Sequence, residues 1–96
     1  MANKLSFAIG MAQKAGKAVS GDFSVRSILK SGKAKLLVIA ADAAPNSKKD
    51  MYYLADAAKV PVLETATRQE LGAAIGKAPR TAIAITDSNF ARMLQR

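Results

Sequence analysis

The spacing of apolar residues along the chain predicts helices that alternate with short strands. Leu5, Ala8, Ile9 and Ala12 recur at helical spacing and predict a first helix over residues 3–15. The runs "KLLVIA" and "TAIAIT" have strand length and few polar residues, which is typical of strands covered on both faces. "KAVSG" and "VPVLE" are shorter extended segments. The pattern predicts the order α, short β, α, β, α, β, α, β, α.

Helix boundaries are indicated by capping residues. Asp22 and Asp87 each precede an apolar helical stripe and are expected to cap helices two and five. Gly32 suits the position just after helix two. Thr67 and Glu70 have the three-residue spacing of a capping box, which predicts the start of helix four.

Strands that alternate with helices predict one fold class. A sheet covered on both faces by helices buries both the apolar strands and the apolar face of each helix. The sequence therefore predicts an α/β protein, a three-layer α/β/α sandwich with a central, mixed, four-stranded sheet. Residues 1–96 contain no linker and no repeat, so we expect a single domain.

The net charge and the composition of the chain limit the classes of partner and of chemistry that we expect. Fifteen lysine and arginine residues oppose seven carboxylates, a net charge of +8 in 96 residues, which favours a polyanion or an anionic membrane as partner. The chain has no cysteine and no histidine. Disulfides, thiolate or imidazole metal sites and imidazole-assisted nucleophiles are therefore excluded. No segment reaches the length of a membrane span, and the N-terminus lacks a signal-peptide pattern. We expect a cytoplasmic monomer with no membrane partner, no metal and no cofactor.

Helix two concentrates the candidate binding chemistry. Phe23, Arg26 and Lys30 share one helical face, nearly opposite the apolar stripe of Val25 and Leu29. An outward ring among cations, at a helix start that attracts phosphate, is typical of a single-strand nucleic-acid surface. The alternative is that Phe23 bends back over the first turn and covers a neighbouring loop.

Several segments in order carry a family resemblance. "AGKAVSG", "SGKAKLLVIAADAAPNSKK", "VPV", "ELGAAIGK" and "AIAITDSNFARML" resemble the ribosomal protein L7Ae/L30e/S12e/Gadd45 family, and most of all its bacterial YlxQ-type branch. The resemblance covers about residues 5–94. It implies an α/β/α sandwich, binding to kink-turn or related internal-loop RNA, and no enzymatic activity. Association with the ribosome is a further expectation.

The resemblance also implies an RNA surface formed by the start of helix two and two neighbouring loops. Gly21 matches the glycine that begins the helix motif of the family. Kink-turn readers then place Asn and Glu where this chain has Phe23 and Ser24, and a lysine where it has Ser27. The groups that read sheared G·A pairs are therefore absent here.

The two loops depart from the family pattern as well. Many members carry Glu-Asp after the central strand, where this chain has Ala41 and Asp42. The last contact loop is usually apolar, but here it is the basic "KAPR". We therefore expect RNA binding with weak kink-turn preference. Charge and resemblance together predict these RNA-binding residues: Lys17, Gly21, Asp22, Phe23, Ser24, Arg26, Lys30, Asp42, Lys48, Lys77, Ala78, Pro79 and Arg80.

Two other functions remain open at this stage. A protein-interaction module of the same fold would use Phe23 and the small-residue loops to meet a protein partner. A small enzyme would work through Asp42, which follows an apolar strand where catalytic acids of α/β proteins are found.

Overall fold

The alternating pattern of helices and strands is confirmed in a computed structural model, which describes residues 3–95. The elements in chain order are α1 (Asn3–Lys14), β1 (Ala18–Ser20), α2 (Asp22–Ser31), β2 (Leu36–Ile39), α3 (Pro45–Ala58), β3 (Val62–Glu64), α4 (Arg68–Ala74), β4 (Ala82–Ile85) and α5 (Ser88–Gln95). Within this range, no helix has the length and apolar composition needed to cross a bilayer.

The four strands form a mixed sheet in the order β1-β4-β2-β3. Strand β4 runs antiparallel to β1 and β2, while β2 and β3 are parallel. All four residues of β2 and of β4 are buried, since helices cover both faces of the sheet. Helices α2 and α3 pack together in one layer, and α1 packs against α4 and α5 in the other. The three-layer architecture is therefore confirmed.

The strand directions divide the connecting segments between two ends of the sheet. Ser20 pairs with Ile83, and Ile39 pairs with both Ala82 and Glu64. The ends of β1, β2 and β3 thus lie beside the start of β4. We call this the front end; its segments are residues 21–23, 40–45, 65–68 and 77–81. The opposite, rear end comprises residues 14–17, 30–35, 59–61 and 86–87.

The start of α2 differs from the prediction. Gly21, not Asp22, is the N-cap residue, and no side chain caps the helix. Gly21 has a φ of 95°, in the region that favours glycine. Asp22 is already helical, so its carboxylate complements the helix dipole and binds Arg26 at 2.9 Å instead.

The other capping predictions are confirmed. Gly32 ends α2 in the left-handed conformation. Asp87 accepts the Phe90 backbone N–H at 3.1 Å. In the capping box, Thr67 Oγ1 accepts the Glu70 N–H at 3.1 Å, and Glu70 Oε1 accepts the Thr67 N–H at 2.9 Å.

Replacing Thr67 with Ala should lower the free energy of unfolding by about 1 kcal/mol, because one of the two reciprocal bonds is lost. Gln69→Ala, an exposed substitution in the same helix, should change it by less than about 0.5 kcal/mol. Urea denaturation of both variants measures the difference. Equal stability of the two would show that the bond to the Thr67 hydroxyl contributes nothing.

Candidate nucleic-acid interface

Backbone hydrogen bonds join the front-end segments into one surface. The Ala40 N–H donates to the Thr81 carbonyl at 2.9 Å, and the Ala41 N–H donates to the Ala66 carbonyl at 2.8 Å. The loop after β2 is therefore tied to the segments on both sides of it. Helices α2, α3 and α4 all begin at this end.

Phe23 projects from the first turn of α2 into solvent. Its side chain is 84% exposed, the largest exposure among the large apolar residues described. The interpretation in which the ring bends back over the first turn is therefore wrong. Ser24 is exposed beside it, while Val25 is fully buried and fixes the rotation of the helix. A planar face is thus available to a ligand.

Arg26 lies between carboxylates from two helices. Its Nε donates to Asp22 Oδ2 at 2.9 Å, and its Nη2 donates to Asp50 Oδ2 at 3.5 Å. The hydrogen bond that Arg26 donates to Asp22 is the main reason why the pKa of Arg26 is raised above its ordinary value. The contact joins α2 to α3, and the two carboxylates outweigh the positive charge of the guanidinium.

Lys48 is similarly balanced by a carboxylate. Its Nζ donates to Glu64 Oε2 at 3.2 Å, while the Tyr52 hydroxyl donates to Glu64 Oε1 at 2.8 Å. The tyrosine hydrogen bond, followed by that of Lys48, lowers the pKa of Glu64 below its ordinary value. The pKa of Tyr52 is raised by the same hydrogen bond. The cluster fixes α3 against the edge strand β3.

Asp42 organises the start of α4. Its Oδ1 accepts the Arg68 backbone N–H at 2.8 Å and lies 3.7 Å from Arg68 Nε. The carboxylate therefore satisfies a helix terminus that would otherwise lack a partner. Among residues 3–95, no group of three or more metal-ligating side chains is found, at Asp42 or elsewhere.

The basic loop at residues 77–80 runs back along α4 to the front end. The Lys77 N–H donates to Gly72 O at 2.8 Å, and the Arg80 N–H donates to Arg68 O at 3.0 Å. Gly72 is required by this packing. A Cβ atom there would lie 2.9 Å from Lys77 O and 2.7 Å from the Ala78 carbonyl carbon. The loop backbone thus rests directly on the helix backbone.

Arg80 attaches this loop to the strand that leads into α2. Its Nε donates to Ser20 Oγ at 3.3 Å, and its Nη1 donates to the carbonyls of Ala78 at 3.1 Å and Pro79 at 3.3 Å. No carboxylate among the described residues pairs with it. Arg80 therefore shapes the loop and keeps its positive charge next to Gly21.

The structure separates two of the expected RNA-binding residues from the others. Lys17 precedes β1, and its carbonyl accepts the Thr86 N–H at 2.9 Å at the rear end. The rise per residue in a strand puts it about 13 Å from Gly21. Lys30 lies two helical turns beyond Phe23, about 10 Å along the axis. The remaining eleven belong to the front end or lead to it: Gly21, Asp22, Phe23, Ser24, Arg26, Asp42, Lys48, Lys77, Ala78, Pro79 and Arg80.

Sequence reasoning missed the acidic partners at the front end. Asp50 and Glu64 balance Arg26 and Lys48 from positions 24 and 16 residues away. It also missed Tyr53, which is 74% exposed on α3. No local spacing could reveal the ion pairs, although the spacing of Tyr53 from the buried Met51 and Ala55 indicates an outward ring.

Tyr52→Phe should raise the pKa of Glu64 toward its ordinary value, because the hydrogen bond that contributes most to lowering it is removed. Since the pKa is lowered in the folded chain, this contact stabilises the fold at neutral pH. Its contribution is lost as the pH falls through the lowered pKa.

Carbon-detected NMR titration of the Glu64 carboxyl measures this shift. Tyr53→Phe is the matched control and should leave the titration unchanged. An unaltered Glu64 titration in Tyr52→Phe would contradict the geometry of this cluster.

Comparison with known sequences identifies a family. The model of the ribosomal protein L7Ae/L30e/S12e/Gadd45 family matches residues 3–95. The chain is 36% identical over 86 residues to the RNA-binding protein YlxQ of Bacillus subtilis (strain 168), covering 90% of this chain and 86% of that protein. It is 36% identical over 95 residues to the large ribosomal subunit protein eL30 of Neurospora crassa, covering 97% of this chain and 87% of that protein.

Solved structures agree with the sequence comparison. A protein of unknown function from Bacillus halodurans C superposes with a TM-score of 0.91 at 32% identity, covering 99% of this chain and 95% of that one. A 15.5kD RNA binding protein from Giardia lamblia shares the fold, with a TM-score of 0.82 at 20% identity, covering 96% of this chain and 79% of that one. From its sequence and its fold, the chain belongs to the ribosomal protein L7Ae/L30e/S12e/Gadd45 family.

Proposed function

We propose that this protein binds structured RNA through its front end. One observation carries the proposal: the exposed Phe23 stands at a glycine-started helix, beside the basic loop that Arg80 attaches to Ser20. Relatives with more than 30% identity are named as RNA-binding and ribosomal proteins, which supports the same role here and an association with the ribosome.

Stacking on Phe23 supplies the main contact in this proposal. Unpaired bases stack on exposed aromatic rings, with about 1–3 kcal/mol per base. Phosphate binding at the start of α2 is weaker than the bare helix terminus suggests, because Asp22 occupies the first turn. Arg26 and Lys48 are balanced by carboxylates, so phosphates are neutralised mainly by Lys77 and Arg80.

The loop after β2 contributes shape more than charge. Its Asp42 carboxylate is engaged by the start of α4, and Ala41 carries no polar side chain. The Ala41 side chain cannot hydrogen-bond to a base, and Asp42 is left with Oδ2 as the acceptor, because its Oδ1 is engaged by Arg68. The front end therefore recognises an unpaired base next to a phosphate backbone, with little discrimination of G·A pairs.

A second candidate function is favoured by the outer surface of α2 and α3. Phe23 on α2 and Tyr53 on α3 carry exposed rings, and each lies three residues from one member of the Arg26–Asp50 contact. Exposed aromatic residues around a charge pair are also typical of protein–protein interfaces. In this alternative, the same surface meets a protein partner.

Phe23→Ala should weaken RNA binding by about 1–3 kcal/mol and change the free energy of unfolding by less than about 0.5 kcal/mol. The matched control is Phe7→Ala, which removes a 69% exposed ring from α1 in the other helical layer. Fluorescence anisotropy with a kink-turn hairpin and thermal melts measure both quantities. Equal RNA affinity of the two variants would reject stacking and favour the protein-interaction candidate.

Preference for a standard kink-turn over the same hairpin with mutated G·A pairs should be less than about tenfold, or 1.4 kcal/mol. The reason is that Phe23, Ser24 and Ala41 replace the polar reading groups of the family. Competition titrations with the two hairpins measure the ratio. A hundredfold preference would show that other groups read the pairs.

A further inference from the structure

The rear end carries a group of lysines without acidic partners. Helices α1, α2 and α3 end there, and their C-terminal ends together with the connections to the next strands contain six exposed lysines, which we call the rear lysines. These are Lys14, Lys17, Lys30, Lys33, Lys35 and Lys59. None of them forms an ion pair with any residue in the range 3–95.

The front end has the opposite arrangement of charge. The four ion pairs among the described residues lie in or near it: Arg26 pairs with Asp22 in its own helix and with Asp50 on α3, Lys48 pairs with Glu64, and Arg68 pairs with Asp42. At the rear end, Asp87 caps α5, and Asp56 is the other nearby carboxylate. The six rear lysines and these two carboxylates give the rear end a net charge of +4, half of the +8 of the chain, on the end of the sheet opposite Phe23.

The sheet fixes the spacing of these lysines. Strand β4 ends between β1 and β2, with Ile85 O accepting the Lys35 N–H at 2.7 Å and Thr86 donating to Lys17 O. Since neighbouring strands are about 4.8 Å apart, Lys17 and Lys35 lie about 10 Å from each other. Lys59 precedes β3, the next strand beyond β2. The lysines thus follow the strand order across the end of the sheet.

Helix stabilisation explains only half of the group. Lys14, Lys30 and Lys59 lie at or near helix C-termini, where a positive charge complements the dipole. Lys17, Lys33 and Lys35 lie in connecting segments and have no such role. Ala34 is buried, whereas Lys33 and Lys35 on either side of it are exposed to solvent.

We infer that the rear lysines form a second RNA-binding surface, which neutralises the phosphates of a segment flanking the element held at the front end. The choice of RNA as the polyanion rests on the proposed function. The chemistry of the surface favours a nucleic-acid backbone over a membrane. The exposed large apolar residues in the range 3–95 lie outside the rear end: Phe7, Met11, Phe23, Tyr52, Tyr53 and Met93.

This surface binds without reading sequence. Lysine ammonium groups contact phosphates as point charges, and no exposed ring stands among them to stack on a base. The front and rear ends are separated by the three residues of β1, so one RNA can contact both. The two surfaces then act as linked sites, and the second increases overall affinity without a new specific contact.

A triple variant tests the second surface. Lys17→Gln, Lys33→Gln and Lys35→Gln together remove three positive charges from exposed positions that no helix dipole requires. The control variant, Lys4→Gln, Lys49→Gln and Arg92→Gln, removes the same charge from exposed positions elsewhere. The probes are a kink-turn hairpin, the same hairpin with an oligouridine tail, and oligouridine alone.

For the wild type, the tail should increase affinity by about tenfold or more, and the triple variant should lose this gain while binding the bare hairpin normally. Its slope of log K against log salt on the tailed probe should be shallower by about 2, from three phosphates at about 0.7 each. The control variant should retain the gain. If the triple variant melts early, Lys33→Gln with Lys35→Gln replaces it.

Two other outcomes overturn the inference. Equal losses in the triple and control variants would show a general charge effect. Binding to phosphatidylserine vesicles that the triple variant loses, with unchanged RNA affinity, would assign the lysines to a membrane. Oligouridine alone separates this inference from the proposed front-end site. A wild type that fails on the bare hairpin, yet binds oligouridine through the rear lysines, rejects only the front-end site.

Discussion

Strand β4 is antiparallel to both of its neighbours, and the positions of all the binding candidates depend on this pairing. Its first residue lies beside the last residues of β1 and β2, so the loop that precedes it meets the start of α2. With a parallel β4, the basic loop would reach the other end of the sheet, and Phe23 would stand without it. The strand pairing inside the sheet therefore determines which loops lie side by side at its front end.

The distribution of charge follows from the same division into two ends. Carboxylates near the front end hold helices in place: Asp42 binds the start of α4, and Asp50 joins α3 to α2 through Arg26. These ion pairs are partly exposed, and each adds little to stability. Their larger effect is to offset the positive charge of Arg26 and Lys48 near the front end. The rear lysines have no such carboxylate partners among the described residues.

Signals that act over one helical turn could be recognised in the sequence. The Thr67–Glu70 capping box and the outward direction of Phe23 both depend on residues three or four positions apart. The position of the α2 cap was mistaken because the backbone of Gly21, not a side chain, decides it. Partners distant in sequence, such as Asp50 for Arg26, leave no local pattern. Lys17 lies at the rear end, four residues before Gly21, because β1 carries the chain from one end of the sheet to the other.

The packing of Gly72 affects how this binding surface can change. Carbonyl groups of residues 77 and 78 rest on the glycine, so this contact is between main-chain atoms and does not involve the Lys77 side chain, whereas Arg80 holds the loop through its own side chain. The loop can therefore exchange lysine for apolar or acidic residues while its path stays the same. Substitutions at Gly72, by contrast, displace the whole loop. If the front end binds RNA as proposed, its RNA preference can change at a few loop positions while Gly72 preserves the path of the loop.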